Sequence, residues 1–498
     1  MNIVTLLEMA ASADPGRIAL GDAVTGFSYR ALLDATTRLA GLWETGPPGV
    51  VYATVADPVL PIALFAAAWT GRPFAPVSYR LADGPLRAVL RGRSPGHVIA
   101  DGHPADLARA EDGLRVSTPD ETMGALRSAE PTTRPATAGQ DEPCVLLHTS
   151  GTTGAPKVAV LRHRHLTSYV LGSVEFLSAG TDEATLISVP PYHIAGVAGL
   201  LTALYSGRRI VQLPNFDAEE WVRLAGEQRV THAMVVPTML ARIVAVLERG
   251  RRSLPNLRHL SYGGGRMPTP VIERALNLLP HVGFVNGYGL TETTSSVAVL
   301  GPDDHRRALA ADDPVIRRRL GSVGRPLPAV ELVVRDGDGR ELPPGVRGEL
   351  WVRGPQISGE YSHGTVTDAD GWFRTRDGGW IDDEGYVFVE GRLDDVIVRG
   401  GENLSPGEIE DVLLQHPAVA EAAVVGVPDE QWGEAVAAVI VARPGTEPSA
   451  GELRAWVGER LRSSRVPARF AFCSALPRND LGKLLRRDLR RWFADAAR

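Results

Sequence analysis

Between Thr149 and Lys157 the chain reads TSGTTGAPK, a loop of hydroxyls and glycines that ends in one lysine and is bracketed by short apolar runs. Gly151 and Gly154 permit a tight turn and a close backbone approach to a ligand. Ser150, Thr152 and Thr153 add hydroxyls, successive loop N–H groups form an anion-binding nest, and Lys157 brings a mobile positive charge. The set suits a polyphosphate. It is not the P-loop pattern, which needs Gly-Lys-Ser/Thr in succession, because Pro156-Lys157-Val158 breaks it. An ordinary Ser/Thr/Gly turn has the same composition, so the rest of the chain has to decide.

Of 53 basic side chains only two are lysines, Lys157 and Lys483. Surface arginine and lysine are largely exchangeable, and here arginine has replaced lysine almost everywhere. A compact ammonium on a flexible stem differs from a planar guanidinium fork where one atom must be approached. The two surviving lysines sit in the Thr149–Lys157 loop and in PRNDLGK, 477–483. Both are read as chemically required.

The elements that must position them follow from periodicity. Helix, hairpin and helix are predicted over 1–45, with the hairpin around Ala23–Tyr29. A buried strand Val50–Ala56, a helix Val59–Trp69 ending at Gly71 and a strand Val98–Asp101 follow, the alternation of a layered α/β domain. Residues 129–143 read as a surface connection. Strands Leu186–Val189, Arg209–Leu213, Thr231–Val236, His259–Tyr262 and Gly283–Asn286 alternate with helices Ile194–Ser206, Ala218–Gln228 and Met239–Glu248. Several strands end in glycine-rich or proline-rich loops: Pro190–His193, Gly263–Gly265 and Gly287–Glu292. An α/β sheet places its ligand crevice at such ends. Neither glycine loop fits GxGxxG, which argues against a dinucleotide fold. From about residue 324 short β segments with turns take over, and a new α/β unit starts after GRLDD (391–395). The expected architecture is α/β: a large N-terminal domain of layered sheets with a β-rich subdomain (1–393), and a small α+β domain (394–498).

At 498 residues two or three domains are expected. A net charge of −6 gives no electrostatic footprint for nucleic acid. Cys144 and Cys473 are too few for a disulfide framework, which fits a reducing compartment. The N-terminus has no basic signal-peptide region, and Val59–Trp69, the longest apolar run, is far shorter than the ~20 residues of a membrane span. A cytoplasmic protein is expected.

Six motifs in order, TSGTTGAPK (149–157), PPYHIAG (190–196), GYGLTE (287–292), FRTRD (373–377), GRLDDVIVRGGENLSPGEIE (391–410) and PRNDLGK (477–483), resemble the adenylate-forming superfamily. That superfamily holds acyl- and aryl-CoA synthetases, peptide-synthetase adenylation domains and luciferases, and this chain is most similar to the acyl-CoA synthetases. The resemblance implies a two-step reaction. A carboxylic acid and ATP give acyl-AMP and pyrophosphate, and CoA then gives the thioester and AMP. It also implies a small C-terminal domain that rotates between the steps about a hinge at Asp394.

The resemblance assigns Ser150, Thr152, Thr153 and Lys157 to the β- and γ-phosphates, Thr291 to the α-phosphate, and Glu292 to Mg²⁺. Gly263, Gly264, Gly265 and Tyr288 are implied to sandwich adenine, Asp377 to hold the ribose, and Arg392 to reach ribose or phosphate. Lys483 is implied to bridge the carboxylate and the α-phosphate. Gly400 and Gly401 are expected beside the pantetheine arm. Trp432 either packs on that arm or is a half-buried structural residue. His193 resembles the residue that gates the acyl pocket. That pocket is expected along Tyr192–Gly199, Met234–Thr238, Tyr262–Gly265 and Asn286–Gly289, with Tyr192, Gly264, Gly287 and Gly289 against the acid. Small residues dominate this lining, which suits a bulky or cyclic acid. Relatives that activate amino acids place an aspartate near VPPYHIAG; none occurs here, which favours an acid without an α-ammonium.

One position departs from the pattern. Thr375-Arg376-Asp377 stands where Thr-Gly-Asp is usual, and an arginine there is strained if the backbone needs positive φ. This leaves open a protein that performs only the CoA step on a preformed adenylate, one that loads a carrier protein in trans, or one that binds nucleotide without turnover. Monomer and homodimer are equally compatible with the sequence.

Overall fold

The computed structural model describes residues 1–149, 157–250, 252–400, 402–478 and 484–495. Two large sheets share a helical layer. One has nine strands, in the order Arg325–Pro326, Ser295–Leu300, Gly283–Leu290, His259–Gly263, His232–Val235, Ala184–Ile187, Arg209–Gln212, Ile18–Leu20, Phe27–Ser28. The other has eight: Gly364–Thr365, Glu360–Tyr361, Lys157–Arg162, Pro143–Thr149, Phe74–Pro76, Gly49–Ala53, Gly96–Ala100 and Leu114–Ser117. Their central strands are parallel and read as apolar runs buried on both faces, Val50–Ala53 being an example.

The helix Val59–Trp69 lies between the sheets with every residue buried. A helix apolar on all sides can sit only there. Pro61 is tolerated because it falls in the first turn, where no intrahelical acceptor exists for the missing N–H. Around this helix, Val4–Ala13, Tyr29–Trp43 and Ile194–Ser206 complete one core with side chains from both sheets, Ile187 and Ile210 from one and Val145 and Leu147 from the other. The opposite face of the nine-stranded sheet is covered by Ala218–Glu227, Pro237–Gly250 and Thr269–Leu278.

An antiparallel four-stranded sheet, Glu331–Arg335, Gly348–Arg353, Phe373–Ile381 and Val387–Arg392, packs on Val297 and Ala298. Its last strand runs into the 3₁₀ turn Leu393–Asp395. Beyond it stands a five-stranded sheet formed by Ile397–Arg399, Glu402–Leu404, Val419–Asp429, Gly433–Ala442 and Arg469–Phe472, with a core on each face. Helices Pro406–Leu414 and Arg486–Asp495 pack on it.

The crevice loops gather where the nine-stranded sheet reverses direction. Ala184–Ile187 is flanked on one side by the next strand, Arg209–Gln212, and on the other by His232–Val235, both parallel to it. The connection from Ala184–Ile187 runs to Arg209–Gln212 and that from its neighbour His232–Val235 runs the other way to His259–Gly263, so the two part at adjacent carboxyl ends, the arrangement that opens a ligand crevice.

One expectation needs correction. Gly287–Leu290 is not a loop: the strand Gly283–Leu290 continues through it, paired antiparallel with Ser295–Leu300 across a bulge at Tyr288/Gly289. The glycines permit the pairing, since a Cβ on Gly289 would lie 1.9 Å from the Ser295 carbonyl oxygen.

Candidate active site

Lys157 opens the strand Lys157–Arg162, in register with Thr149 on the neighbouring strand, and the Thr149 hydroxyl donates to the Lys157 carbonyl at 3.3 Å. The pairing fixes where the lysine leaves the sheet. Its Nζ lies 5.4 Å from the centre of the Tyr361 ring. The hydroxyl of the same tyrosine donates to Glu292 Oε1. A cation and a carboxylate thus flank one aromatic ring.

Glu292 sits in the 3₁₀ turn Thr291–Thr293, which is held from several sides. The Thr293 hydroxyl accepts from Leu290 N at 2.8 Å and donates to Leu290 and Ser295 carbonyls. Buried Gln356 donates to Thr293 O at 3.0 Å and Ser296 O at 2.8 Å. Ser358 N and Gly359 N donate to the Glu292 carbonyl at 2.9 and 3.1 Å. Thr294 and Ser295 carry positive φ, +54° and +90°, a local strain that this bonding sustains. Among the described residues Glu292 belongs to no cluster of three or more His, Cys, Asp or Glu side chains that could hold a metal. One carboxylate fits Mg²⁺, which keeps several of its waters and takes substrate phosphates as ligands.

At the other end of the site Asp377 is 6% exposed. It accepts the Tyr288 hydroxyl at 2.7 Å and lies 3.2 Å from Arg392 Nε, while Arg392 Nη1 donates to the Thr375 carbonyl. Burial first, then the Asp377 charge, raises the Tyr288 pKa well above the usual phenol value, so its hydroxyl stays a donor. Arg376 has φ +58°, so the positive φ on which its strain depended is present; its N–H is held by the buried carboxylate of Glu349 at 3.2 Å.

The glycines divide into two kinds. A Cβ on Gly263 would lie 2.4 Å from Gly287 O, and one on Gly287 would meet the Ser296 hydroxyl at 2.6 Å, so both answer to strand packing. Gly264 (φ +78°) and Gly265 face space, with only Val236 and Pro237 nearby, at 3.7 and 3.9 Å. His193 precedes the helix Ile194–Ser206, its ring edge-on to Tyr192 at 4.6 Å. Its Nε2 is buried with no hydrogen-bond partner among the described residues, and burial pushes its pKa down to about 3, so it is neutral at physiological pH.

Asp394 lies in the turn Leu393–Asp395, where Arg490 Nη2 donates to its carbonyl at 3.1 Å and reaches Asp395 at 3.4 Å. Gly400 has φ +56°, and its N–H donates to Trp432 O at 2.8 Å. Trp432 is 44% exposed and covers Gly400 closely, leaving 2.8 Å between a Cβ there and the indole. Ser150, Thr152, Thr153, Gly401 and Lys483 lie outside the described residues. Sequence reasoning missed Tyr361, Gln356 and Glu349. Glu349 carried a faint signal, as a polar residue at the start of the apolar strand-like stretch Glu349–Arg353, but Gln356 and Tyr361 carried none.

These features gather a lysine, a carboxylate-bearing turn and a buried carboxylate–tyrosine pair around the end of the strand Gly283–Leu290. The chain belongs to the AMP-binding enzyme family, whose model matches residues 7–362, with its C-terminal domain model matching 408–483. It is 35% identical to the fatty acid–[acyl-carrier-protein] ligase ScoC of Streptomyces coeruleorubidus over 87% of this chain and 85% of that one. It is 31% identical to the indoleacetate–CoA ligase of Aromatoleum aromaticum over 99% and 98%. The o-succinylbenzoate-CoA synthetase MenE of Bacillus subtilis, solved with its acyl-adenylate, has the same fold (TM-score 0.85, 28% identity, 97% of each chain). The same enzyme with ATP and magnesium gives a TM-score of 0.84. The chain is an adenylate-forming acid–thiol ligase. Among the described residues no helix is long and apolar enough to cross a membrane.

Proposed function

We propose that this enzyme activates a bulky or ring-bearing carboxylic acid with ATP and Mg²⁺ and transfers the acyl group to CoA. The observation that carries the reading is that Tyr288, bonded to Asp377, and Glu292, bonded to the Tyr361 that lies under Lys157, stand four residues apart on one strand and the turn that follows it. Attack of the carboxylate on the α-phosphate builds negative charge, so catalysis consists of aligning and neutralising oxygens. Lys157 binds the outer phosphates, Thr291 the α-phosphate, and Lys483 bridges the acid and the α-phosphate. Mg²⁺ held by Glu292 adds charge neutralisation on the phosphates. Asp377 accepts from the ribose hydroxyls once Tyr288 swings to the base. Neutral His193 closes the acyl pocket without placing a charge beside the acid. The open face of Gly264 and Gly265 gives room for a ring, in keeping with the indoleacetate and o-succinylbenzoate named for its relatives.

The unit after Asp394 then turns, bringing Gly400, Gly401 and Trp432 to the pantetheine arm. A carrier protein as acceptor is the second reading, favoured by the 35% identity to ScoC. The two free cysteines, Cys144 buried, suit the reducing cytoplasm. Pyrophosphate exchange over aliphatic, aryl and polycyclic acids, followed by transfer to free CoA or to a phosphopantetheinylated carrier, tests this. An aryl or polycyclic acid with transfer to free CoA is expected. Exchange with no acid, alongside transfer from a synthetic acyl-adenylate, would overturn the adenylation half.

A further inference from the structure

The proposed reaction gives no part to the hairpin formed by Glu360–Tyr361 and Gly364–Thr365, yet this hairpin touches both sides of the phosphate end. Tyr361 pairs with Ala159, and Ser362 N donates to Val158 O at 2.9 Å, which adds the hairpin to the strand that Lys157 opens. Arg162 on that strand holds Glu360 with two bonds, 2.7 and 2.6 Å, between largely buried side chains. Just before it, Ser358 and Gly359 donate their N–H groups to the Glu292 carbonyl, and the Ser358 hydroxyl donates to Val160 O. The hairpin is therefore a bracket between the lysine strand and the glutamate turn.

Tyr361 carries the bracket into the site. Its hydroxyl holds Glu292 Oε1, and its ring lies under the Lys157 ammonium. Lys157 and Glu292 make no ion pair among the described residues, although they flank the same ring. A direct pair would spend both charges on each other and leave less of either for a phosphate or a metal.

We propose that Tyr361 is a positioning residue for the ATP half-reaction: its ring spaces Lys157 from Glu292, and its hydroxyl fixes one carboxylate oxygen so that the other is free for Mg²⁺. This rests on the reading that Lys157 binds phosphate and Glu292 binds metal. Tyr361→Phe keeps the ring and removes the donor; Tyr361→Ala removes the spacer as well.

The test is calorimetric binding of MgATP and of metal-free AMP to the full-length enzyme, with Glu292→Gln measured in parallel. For Tyr361→Phe the MgATP Kd is expected to rise about tenfold, the order that one hydrogen bond to a charged group supplies. AMP, which lacks the outer phosphates, should bind within about twofold of wild type, with an unchanged melting temperature. Tyr361→Ala should weaken MgATP further, as Lys157 closes onto Glu292. Wild-type MgATP affinity in Tyr361→Phe, with Glu292→Gln weakened, would overturn the role of Tyr361 and leave the metal assignment standing. Equal losses of MgATP and AMP would also overturn it, because they would mean general damage to the site. Glu292→Gln binding MgATP like wild type would remove the metal assignment itself, and the proposal with it.

Discussion

The turn that carries Glu292 and the hairpin that carries Gly400 are both short loops with left-handed backbone, yet they are held very differently. The first is fixed by Gln356, by the Thr293 hydroxyl and by two backbone donors, all within the packed sheets. The second is held by its own ladder, by the Gly400 N–H on the Trp432 carbonyl and by Arg399 on the Ser464 carbonyl and Arg465 on Glu402, beside an indole nearly half exposed to solvent. Preorganised groups around developing charge cost nothing to rearrange during reaction. Under the proposed function the Gly400 loop meets a thiol arm only after a domain turn, a motion that a few hinge torsions absorb. In that reading, the ATP step uses a turn rigidly enclosed by packed sheets, and the acceptor step a hairpin more lightly enclosed at a partly exposed edge.

The largest effect that could break this contrast is expected at the rigid end. Lys157→Ala should lower pyrophosphate exchange by about 10²–10³-fold, the scale of losing one charge-stabilising donor. Thioester formation from a synthetic acyl-adenylate should barely change, and a parallel loss in that assay would erase the distinction. At the lighter end, Gly400→Ala places a methyl 2.8 Å from the Trp432 ring at φ +56°. It should slow the CoA step about tenfold, with exchange preserved, since the added strain is of order 1–2 kcal/mol.

The two regions should also part in acid. Burial pushes His97, His148, His163, His165 and His305 down to about 4, and His193 and His232 to about 3. All seven lie before Asp394. Below the ordinary value of about 6.5 the unfolded chain takes up these protons and the folded chain does not. Their contribution is therefore complete above pH 6.5 and declines from there toward pH 4. Melting followed by hydrogen exchange should show the large unit losing stability across that window ahead of the Val419–Ala442 strands.

The smallest effect is expected at Arg376, where Arg376→Gly should stabilise the protein by about 1 kcal/mol by relieving a left-handed arginine. Adenylation should be no slower. A drop in stability would show that the arginine makes contacts that outweigh its strain.

Periodicity made the parallel strands and the helix Val59–Trp69 legible, because a run buried on all sides carries its signal locally. Gly287–Leu290 was misread as a loop because what makes it a strand is pairing with Ser295–Leu300, a partner beyond the next turn. The lysine count and the six motifs exposed Lys157, Glu292 and Asp377. Tyr361 stayed hidden, since its importance lies in touching two residues 69 and 204 positions away, and neither contact leaves a mark in the local residues.

The division of labour between the two units is tested most directly by Lys483→Ala, assayed separately for pyrophosphate exchange and for thioester formation from preformed acyl-adenylate. Exchange should collapse while thioester formation stays near wild type. An equal loss in both would contradict the account.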